Sequence, residues 1–400
     1  MAKIPNLLMI EALGLPRFST IDELSKLTGL STRLLYCLSI KTGSYYRTKF
    51  IDKRITGKRE LSIPSYTLQI VQRWILVNIL NKLVPTNQAM AFRKGKMFGS
   101  KQNAIHHGNT LYGLSIDLKD FFPSITADKV YTIFSELGYN TFASTILTNI
   151  CTLYGRLPQG SPCSPAISNL VCINLDKRLS GLCEKRGIIY TRYADDMFFS
   201  CDDKGLLLRC APIFRHIINS EGFQINEKKE HFHTPSNRKR ITGVTVVQQE
   251  DEESFELKAP KDMKRKIRAE IFRCIMSGNY ECQDHIWGEI SYVCYIEDGN
   301  AVNYLSNLKR YVEKISDKVV YFPELVEAYN THLFFKDSVK KQVEPIELDS
   351  EEDIIFFEDM LVQRTEYIKK LEIDDICTYS SWPAVLFERY EQTEGSDMPF

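Results

Sequence analysis

The sequence predicts an α+β fold, in which an antiparallel sheet packs with helices. The most informative stretch is residues 188–200, where two apolar, β-favouring runs flank the adjacent carboxylates Asp195 and Asp196. This pattern predicts two strands joined at a tight turn at the carboxylate pair. Other segments, such as 130–137 and 206–218, place apolar residues at the spacing of an amphipathic helix. Strands and helices are therefore both expected around the carboxylates.

Length and composition indicate a globular protein. The chain has 400 residues, enough for two or three domains. No apolar run is long enough to span a bilayer, and the first residues lack a signal-peptide pattern. The cysteine count is odd, 11, and no Cys-x-x-Cys pair occurs, which argues against a disulfide framework and against a zinc site. We therefore expect a cytoplasmic protein that does not bind membranes.

The net charge of zero hides an asymmetry along the chain. Residues 336–400 contain 17 acidic and 7 basic side chains, which leaves 34 acidic and 44 basic ones in residues 1–335. A basic body with an acidic tail predicts a polyanionic partner for the body and a different role for the tail.

The region before the first carboxylates predicts helices and a hairpin. Residues 24–35 have helix-turn-helix spacing with Gly29 at the turn, which favours a small helical cap over a DNA-binding role. Residues 53–64 are basic and contain the hairpin-like turn Thr56-Gly57. The basic side chains there either contact a triphosphate or belong to a solvated, charged hairpin, and both interpretations stay open. One face of a following helix carries Leu68, Val71, Ile75 and Ile79.

A basic, glycine-punctuated loop at residues 91–101 precedes Asn103 and the pair His106-His107. Two histidines without a third ligand make a poor metal site. Contact with RNA and an internal structural hydrogen bond are the two remaining interpretations.

A second source of carboxylates lies well before the hairpin. Residues 114–118 alternate as a strand that ends near Asp117, and a helical pattern over 130–137 closes at Gly138. Neighbouring carboxylates withdrawn from water repel one another, and a divalent cation resolves that repulsion. Distant carboxylates converging with Asp195 and Asp196 are what a two-metal site requires.

The remaining elements follow in order. A rigid loop over 157–165 leads into a helix with Ser164 as its N-cap and Pro165 as its first residue. After the helix at 206–218, residues 222–229 predict a strand ending in lysines, and residues 238–247 predict another. The helix at 261–273 carries a basic face, which is either solvated or a surface that follows a nucleic-acid backbone.

Taken together, this order resembles the palm of reverse transcriptases. The resemblance rests on the strand ending at Asp117, the Pro158-Gln159-Gly160 loop, the Tyr-Ala-Asp-Asp hairpin and the lysine strand, and it covers roughly residues 50–320. It implies a right-hand polymerase. The implied regions are an N-terminal helical region (1–50), fingers (51–113 and 138–163), a palm of antiparallel sheet plus helices (114–250), a helical thumb (251–320) and an acidic C-terminal extension (321–400).

The resemblance also implies roles for individual residues. Asp117, Asp195 and Asp196, with the backbone of Leu118, are expected to hold two Mg²⁺ ions, and Lys229 is expected near the leaving pyrophosphate as part of the catalytic set. Phe122 looks like the bulky residue that rejects a ribose 2′-hydroxyl. The residues expected to contact the deoxynucleoside triphosphate are Lys53, Arg59, Phe122, Gln159, Gly160 and Tyr193.

Two further stretches narrow the resemblance to retron reverse transcriptases. Residues 103–107 fit an Asn-Ala-x-x-His signature, and Ile241-Thr242-Gly243 fits a Val-Thr-Gly element with Ile for Val. The family implies a protein that binds its own structured non-coding RNA and primes cDNA from a guanosine 2′-hydroxyl, commonly in anti-phage defence with a separate effector protein. The residues expected to contact RNA are Asn103, Ala104, His107, Thr242, Gly243, Lys261, Lys264, Arg265 and Arg268.

Two alternatives remain. One is a different defence-associated or intron-type reverse transcriptase that uses another RNA, and the other is an RNA-binding scaffold without activity. We also expect residues 320–400, with anchors such as Phe356 and Trp382, to dock on an effector or on a second copy of the complex, or else to pack on the chain as a helical appendage.

Overall fold

The computed structural model describes residues 7–52, 57–236, 239–248, 254–277 and 281–315. Two compact units are present among them. The first comprises 7–52, 57–99 and 114–232, and the second comprises 100–113 with the described residues from 233 to 315. Residues 100–113, which the resemblance assigns to the fingers, thus belong to the second unit. Lys53, Thr56 and the predicted extension at 321–400 lie outside the described residues.

Helices make up most of the described structure. In chain order they are α1 (Leu7–Ala12), α2 (Ile21–Thr28), α3 (Thr32–Ile40), α4 (Tyr66–Asn78), α5 (Ser100–His106), α6 (Phe121–Ser124), α7 (Ala127–Glu136), α8 (Thr141–Cys151), α9 (Ser164–Val171), α10 (Ile173–Glu184), α11 (Lys204–Ser220), α12 (Lys261–Ser277), α13 (Gln283–Ile296) and α14 (Ala301–Ile315). None of the described helices is long and apolar enough to cross a membrane.

The strands form three sheets. They are β1 (Tyr46–Asp52), β2 (Lys58–Pro64), β3 (Tyr112–Asp117), β4 (Ile189–Tyr193), β5 (Asp196–Cys201), β6 (His231–His233), β7 (Lys239–Ile241), β8 (Val244–Gln248) and β9 (Phe255–Lys258). β1 and β2 form an antiparallel hairpin, the central sheet has the order β4-β5-β3-β6, and the third sheet has the order β7-β8-β9. This mixture of helices and antiparallel strands agrees with the predicted α+β class.

Local sequence signals explain several helices. Ser65 caps α4 by accepting a hydrogen bond from the backbone N–H of Leu68, which satisfies one of the free donors at the helix start. The predicted apolar face of that helix is buried, with Leu68, Val71, Ile75 and Ile79 at most 1% exposed. Gly29 ends α2 with φ 69°, a conformation that glycine adopts without strain. The predicted helix-turn-helix spacing thus corresponds to two real helices, α2 and α3.

An aromatic stack anchors the carboxylate hairpin to the core. The rings of Tyr190 and Phe199 lie 4.9 Å apart across β4 and β5, and Phe214 of α11 stacks on Phe199 at 4.1 Å. Phe199 and Phe214 are fully buried. Burial of each ring contributes about 1.5–3 kcal/mol, so the apolar runs noted in the sequence fix the hairpin firmly.

Three local predictions need correction. Residues 222–229 form no named strand: Ile225 makes an isolated bridge with Leu118, and a 3₁₀ turn, Glu227–Lys229, follows. The predicted strand at 238–247 is two strands, β7 and β8, because Thr242 and Gly243 adopt positive φ of 45° and 85° and reverse the chain. Ser164 is the first residue of α9 rather than its cap, and its hydroxyl donates to the carbonyl of Pro158 at 2.6 Å.

Candidate active site

The carboxylate pair lies at the turn between β4 and β5. Tyr193 pairs with Asp196, so the two turn residues are Ala194 and Asp195, one position earlier than predicted. Ala194 has φ 58°, in the left-handed region that residues with a Cβ atom rarely adopt. Backbone strain of this kind costs on the order of 1–3 kcal/mol and persists only where the surroundings impose it. The turn is therefore held by its neighbours.

Asp117 joins the pair from the adjacent strand. It is the last residue of β3, which lies beside β5 in the central sheet. The backbone N–H of Leu118 donates to the carbonyl of Asp195 at 3.0 Å, and the side chains of Asp117 and Asp196 lie close enough that, besides desolvation, the charge of Asp117 raises the pKa of Asp196. The structure thus brings together the three acidic residues that the sequence predicted from separate stretches.

The electrostatics of this cluster are those of crowded negative charge. Desolvation raises the pKa of Asp196 to about 7, and the charges of Asp195 and Asp117 contribute to the shift. Burial also raises the pKa of Asp195, and Asp117 adds to the increase while Lys229 opposes it. Carboxylate oxygens are the ligands that hard divalent cations prefer, and a cation would relieve the repulsion. The residues present therefore fit a divalent metal site.

Two side chains already contact Asp117. Lys229 donates from Nζ to Oδ2 at 3.0 Å, and Asn226 donates from Nδ2 to Oδ1 at 3.1 Å. Partial burial lowers the pKa of Lys229, but its hydrogen bond to Asp117 and the nearby carboxylates outweigh that effect and raise the pKa above its ordinary value. The predicted lysine is thus next to the carboxylates and charged. Asn226 was not predicted, and nothing in its local sequence singles it out.

The Gln159-Gly160 loop lies against strand β2. The backbone N–H of Ser62 donates to the carbonyl of Gln159 at 2.8 Å. Gly160 has φ 132°, and a Cβ atom at this position would lie 2.4 Å from the carbonyl oxygen of Ser62, so only glycine fits. Arg59, on the same strand, lies close enough to the cluster to lower the pKa of Asp195. Loop, strand and carboxylates therefore share one side of the first unit.

Of the remaining predicted nucleotide contacts, Phe122 and Tyr193 are described by the structure, and Lys53 lies outside the described residues. Phe122, in α6, is half-buried, and its ring lies 5.5 Å from that of Phe121 and 6.3 Å from that of Phe92. Tyr193 ends β4 and pairs with Asp196. Phe92 was not predicted as part of the site.

A buried network of charged and polar side chains contacts the turn between β4 and β5. This network was not predicted from the sequence. Arg192 and Asp176 are fully buried and form two hydrogen bonds of 2.8 and 2.7 Å. Arg192 also donates to Asn169 at 3.1 Å and to the carbonyl of Ala194 at 3.3 Å. The hydroxyl of Tyr190 donates to Asp176 at 2.9 Å. The only signal in the sequence was an arginine inside an otherwise apolar strand.

The two stretches that fit the retron signatures meet in the second unit. The amide of Asn103 donates to the hydroxyl of Thr242 at 3.3 Å, and that hydroxyl donates to the carbonyl of Ser100 at 3.4 Å. The Lys239 ammonium donates to the backbone carbonyls of His107 and Thr110. Burial, followed by the charge of Lys239, holds the pKa of His107 well below its usual range.

The residues predicted to contact RNA differ in burial. Asn103, Ala104 and His107 are at most 1% exposed, so their side chains present no surface to RNA in this conformation. Their contacts fit the other interpretation, an internal structural role. Thr242 and Gly243 are half-buried at the β7–β8 turn and retain some surface.

The basic face of α12 also divides into two groups. Lys261, Arg265 and Arg268 are exposed, as an RNA-contacting surface requires. Lys264 is half-buried and pairs with the buried Glu297 at 2.6 Å, so this lysine has a partner inside the unit. Glu297 also accepts a hydrogen bond from the backbone N–H of Ala259 at 2.7 Å. RNA contact by Lys264 stays a prediction, beside this internal pair.

Comparisons with known proteins show which proteins this chain is similar to. The family model "Reverse transcriptase (RNA-dependent DNA polymerase)" matches residues 51–246. Retron Ec86 reverse transcriptase of Escherichia coli is 34% identical over 314 residues, covering 77% of this chain and 95% of that protein. Retron Mx65 reverse transcriptase of Myxococcus xanthus is 31% identical over 313 residues, covering 72% of this chain and 71% of that protein. Among solved structures, apo telomerase from Candida tropicalis is similar with a TM-score of 0.42 and 10% identity, covering 71% of this chain and 60% of that one.

Proposed function

The chain belongs to the retron reverse transcriptase family and is an RNA-directed DNA polymerase, and we propose that it copies its own structured non-coding RNA into branched, RNA-linked single-stranded DNA. Priming is from the 2′-hydroxyl of a guanosine in that RNA. The product serves in anti-phage defence. The observation that best supports a retron function is the hydrogen bond between Asn103 and Thr242. It joins the two signature stretches, which other reverse transcriptases are not expected to share.

The polymerase is metal-dependent, and the proposed cofactor is a pair of Mg²⁺ ions held by Asp117, Asp195, Asp196 and the backbone of Leu118. When bound, these ions lower the pKa of the priming hydroxyl and screen the triphosphate. Lys229 stays protonated at neutral pH and offsets negative charge on the leaving pyrophosphate. Arg59 and Lys53 bind the triphosphate.

The proposed nucleotide site also includes the loop that packs on β2. Gln159 and Gly160 line the template and the incoming base, and Tyr193 approaches the nucleotide from the end of β4. Phe122 rejects the ribose 2′-hydroxyl. Exposed Lys261, Arg265 and Arg268, with Thr242 and Gly243, contact the phosphate backbone of the RNA.

The proposed regions of the hand follow from these roles. The β1–β2 hairpin and the loop before α9 belong to the fingers (51–113 and 138–163), the central sheet to the palm (114–250), and α12 to α14 to a helical thumb (251–320). Residues 321–400 form an acidic extension that docks on a separate effector or a second copy of the complex. Deletion of residues 340–400 is expected to leave polymerisation intact and to abolish co-purification of the effector.

The decisive experiment is expression of the chain with the genomic region around its gene, followed by isolation of DNA that is covalently linked to RNA. Wild type is expected to yield a single DNA species attached through a 2′,5′ bond that a debranching enzyme releases. Replacement of Asp195 and Asp196 by Asn is expected to abolish this DNA while RNA still co-purifies. Unaltered product from that variant would remove the catalytic assignment.

A matched control uses a second pair of adjacent carboxylates, just after the hairpin. Asp202 and Asp203 follow β5 and are exposed, and Asp203 caps α11. Asn serves as a helix cap as well as Asp, so Asn at both positions should fold and retain full product. Sequencing of the bound nucleic acid also tests the alternatives: an unrelated RNA indicates another type of reverse transcriptase, and bound RNA without any DNA indicates a scaffold.

A further inference from the structure

Phe92 combines two features that a core residue does not have. Its side chain is 50% exposed, although phenylalanine gains stability from burial. Its backbone has φ 60°, in the left-handed region. A residue with a Cβ atom is held in this conformation only where the surrounding structure imposes it, and such positions cluster at functional sites. Phe92 therefore has a role other than filling the core.

Hydrogen bonds hold the residues on both sides of Phe92. Asn169 donates from Nδ2 to the carbonyl of Ala91 at 2.9 Å, and the backbone N–H of Met90 donates to the carbonyl of Arg192 at 2.7 Å. On the other side, the side chain of Arg93 donates from Nη1 to the carbonyl of Thr86 at 2.8 Å. Asn169 and Arg192 belong to the buried network behind the carboxylate turn. The position of Phe92 is therefore tied to that of the active site.

The ring of Phe92 lies against Phe122. Their centroids are 6.3 Å apart with an angle of 47° between the ring planes, within the range of attractive aromatic pairs. The ring of Phe122 also lies 5.5 Å from that of Phe121, which is 4% exposed and packs on Phe223. Phe122 thus contacts two rings, the buried ring of Phe121 and the exposed ring of Phe92.

We propose that Phe92 is a specificity-determining residue for the sugar of the incoming nucleotide. It confines the ring of Phe122 to the position that excludes a 2′-hydroxyl. Without Phe92, the Phe122 ring can swing into the vacated space and admit a ribonucleotide. This inference rests on the proposed role of Phe122 as the residue that rejects ribose, and it goes beyond that role by naming what holds the ring in place.

The test compares incorporation of a deoxyribonucleotide and the matching ribonucleotide, measured as the ratio of their kcat/KM values on a DNA primer annealed to an RNA template. Phe92→Gly removes the ring and suits the positive φ, so the variant is expected to fold. It should reduce discrimination against the ribonucleotide about three- to tenfold, which corresponds to the interaction energy of one aromatic pair. Phe92→Tyr keeps the ring and should restore the wild-type ratio.

Phe122→Ala and the double variant separate the inference from the function on which it rests. Phe122→Ala should reduce discrimination more than Phe92→Gly does. Because Phe92 acts through Phe122, adding Phe92→Gly to Phe122→Ala should change the ratio by less than about twofold, as expected for coupled neighbours. Tyr154→Gly is the matched control, since Tyr154 is also an exposed aromatic residue with positive φ, 86% exposed and at 50°. It should leave the ratio unchanged.

Each other outcome counts against the inference in a distinguishable way. If Phe122→Ala lowers discrimination and Phe92→Gly does not, Phe92 has no part in sugar selection and the role of Phe122 stands. Should neither variant alter the ratio, the proposed role of Phe122 fails and the inference fails with it. Independent, multiplicative effects would show that Phe92 does not act through Phe122. If Phe92→Gly lowers kcat/KM equally for the deoxyribonucleotide and the ribonucleotide, Phe92 has a purely structural role.

Discussion

Arg192 and Asp176 form a fully buried ion pair directly behind the turn that carries Asp195, with Nη2 and Oδ2 2.7 Å apart. The same guanidinium donates to the carbonyl of Ala194, the strained residue of that turn. Burying a charge is costly unless it is paired and hydrogen-bonded, and here both conditions are met. The pair therefore ties the conformation of the carboxylate hairpin to helix α10.

Replacing Asp176 by Asn should lower the free energy of unfolding by roughly 3 kcal/mol or more, because Arg192 then remains buried without a countercharge. Urea unfolding measures the loss. Arg209 and Asp203 offer a control pair, 3.8 Å apart with side chains 71% and 61% exposed. Arg209→Ala should change stability by less than about 1 kcal/mol, as is usual for surface pairs. Similar losses in both variants would contradict the proposed importance of burial.

The stability of the metal-free protein should fall as pH rises through about 7, because the pKa of Asp196 is raised from 3.8 to about 7 in the folded state. A raised carboxyl pKa means that the folded state binds the proton more tightly, so this stabilisation is present at low pH and is lost as Asp196 ionises. Thermal unfolding in EDTA at pH 6 and pH 8 measures the effect.

Asp196→Asn should make this pH dependence shallower, since the asparagine does not titrate. Mg²⁺ should raise the melting temperature of wild type more at pH 8 than at pH 6, because ionised carboxylates bind the cation and its charge relieves their repulsion. A wild-type protein and a variant with identical pH profiles would refute the role of Asp196 in that dependence.

Gly160→Ala should impair use of the nucleotide. The added Cβ atom would meet the carbonyl of Ser62, so β2, and Arg59 with it, must shift. A displacement of this size is expected to raise KM for deoxynucleoside triphosphates about tenfold or more. Gly155→Ala is the control, because Gly155 also has positive φ, 74°, but nothing lies within 4 Å of its added Cβ. If both variants raise KM equally, backbone strain rather than the contact with Ser62 is responsible.

Thr242→Val should weaken the contact between the two signature stretches. The substitution keeps the shape of the side chain and removes the hydroxyl that accepts from Asn103, a loss of about 1 kcal/mol in stability. We expect lower affinity for the cognate RNA in a filter-binding assay, while extension of a simple primer on an RNA template is retained. Thr245→Val, on the adjacent strand, should affect neither quantity. Unchanged RNA affinity in Thr242→Val would separate this contact from RNA recognition.

The convergence of Asp117 with Asp195 and Asp196 could be predicted from the sequence, because strand ends and a hairpin turn have recognisable local patterns. The exact position of the turn could not be predicted, because nothing in the local sequence shows that Ala194 rather than Asp196 is a turn residue. That choice depends on Arg192, whose partner Asp176 comes from a helix. The identity of a buried charge partner is a matter of tertiary packing, which periodicity does not reveal.

The second unit shows the same limit. The sequence singled out Asn103 and His107 correctly as unusual residues, but it left two interpretations open, contact with RNA or internal hydrogen bonding. Burial favours internal hydrogen bonding, and this burial depends on the β7–β8–β9 sheet against which α5 packs. Similarly, the basic helix α12 gave no sign that Lys264, unlike Lys261, is paired internally.

The backbone of Arg192 also has a consequence for engineering. Its N–H donates to the carbonyl of Gln88 and its carbonyl accepts from Met90, so the loop at 86–93 and the catalytic hairpin share one set of bonds. A chimera that transplants the hairpin from a relative without this loop would inherit mismatched partners at both ends. Grafts should therefore exchange the two segments together, as a single cassette.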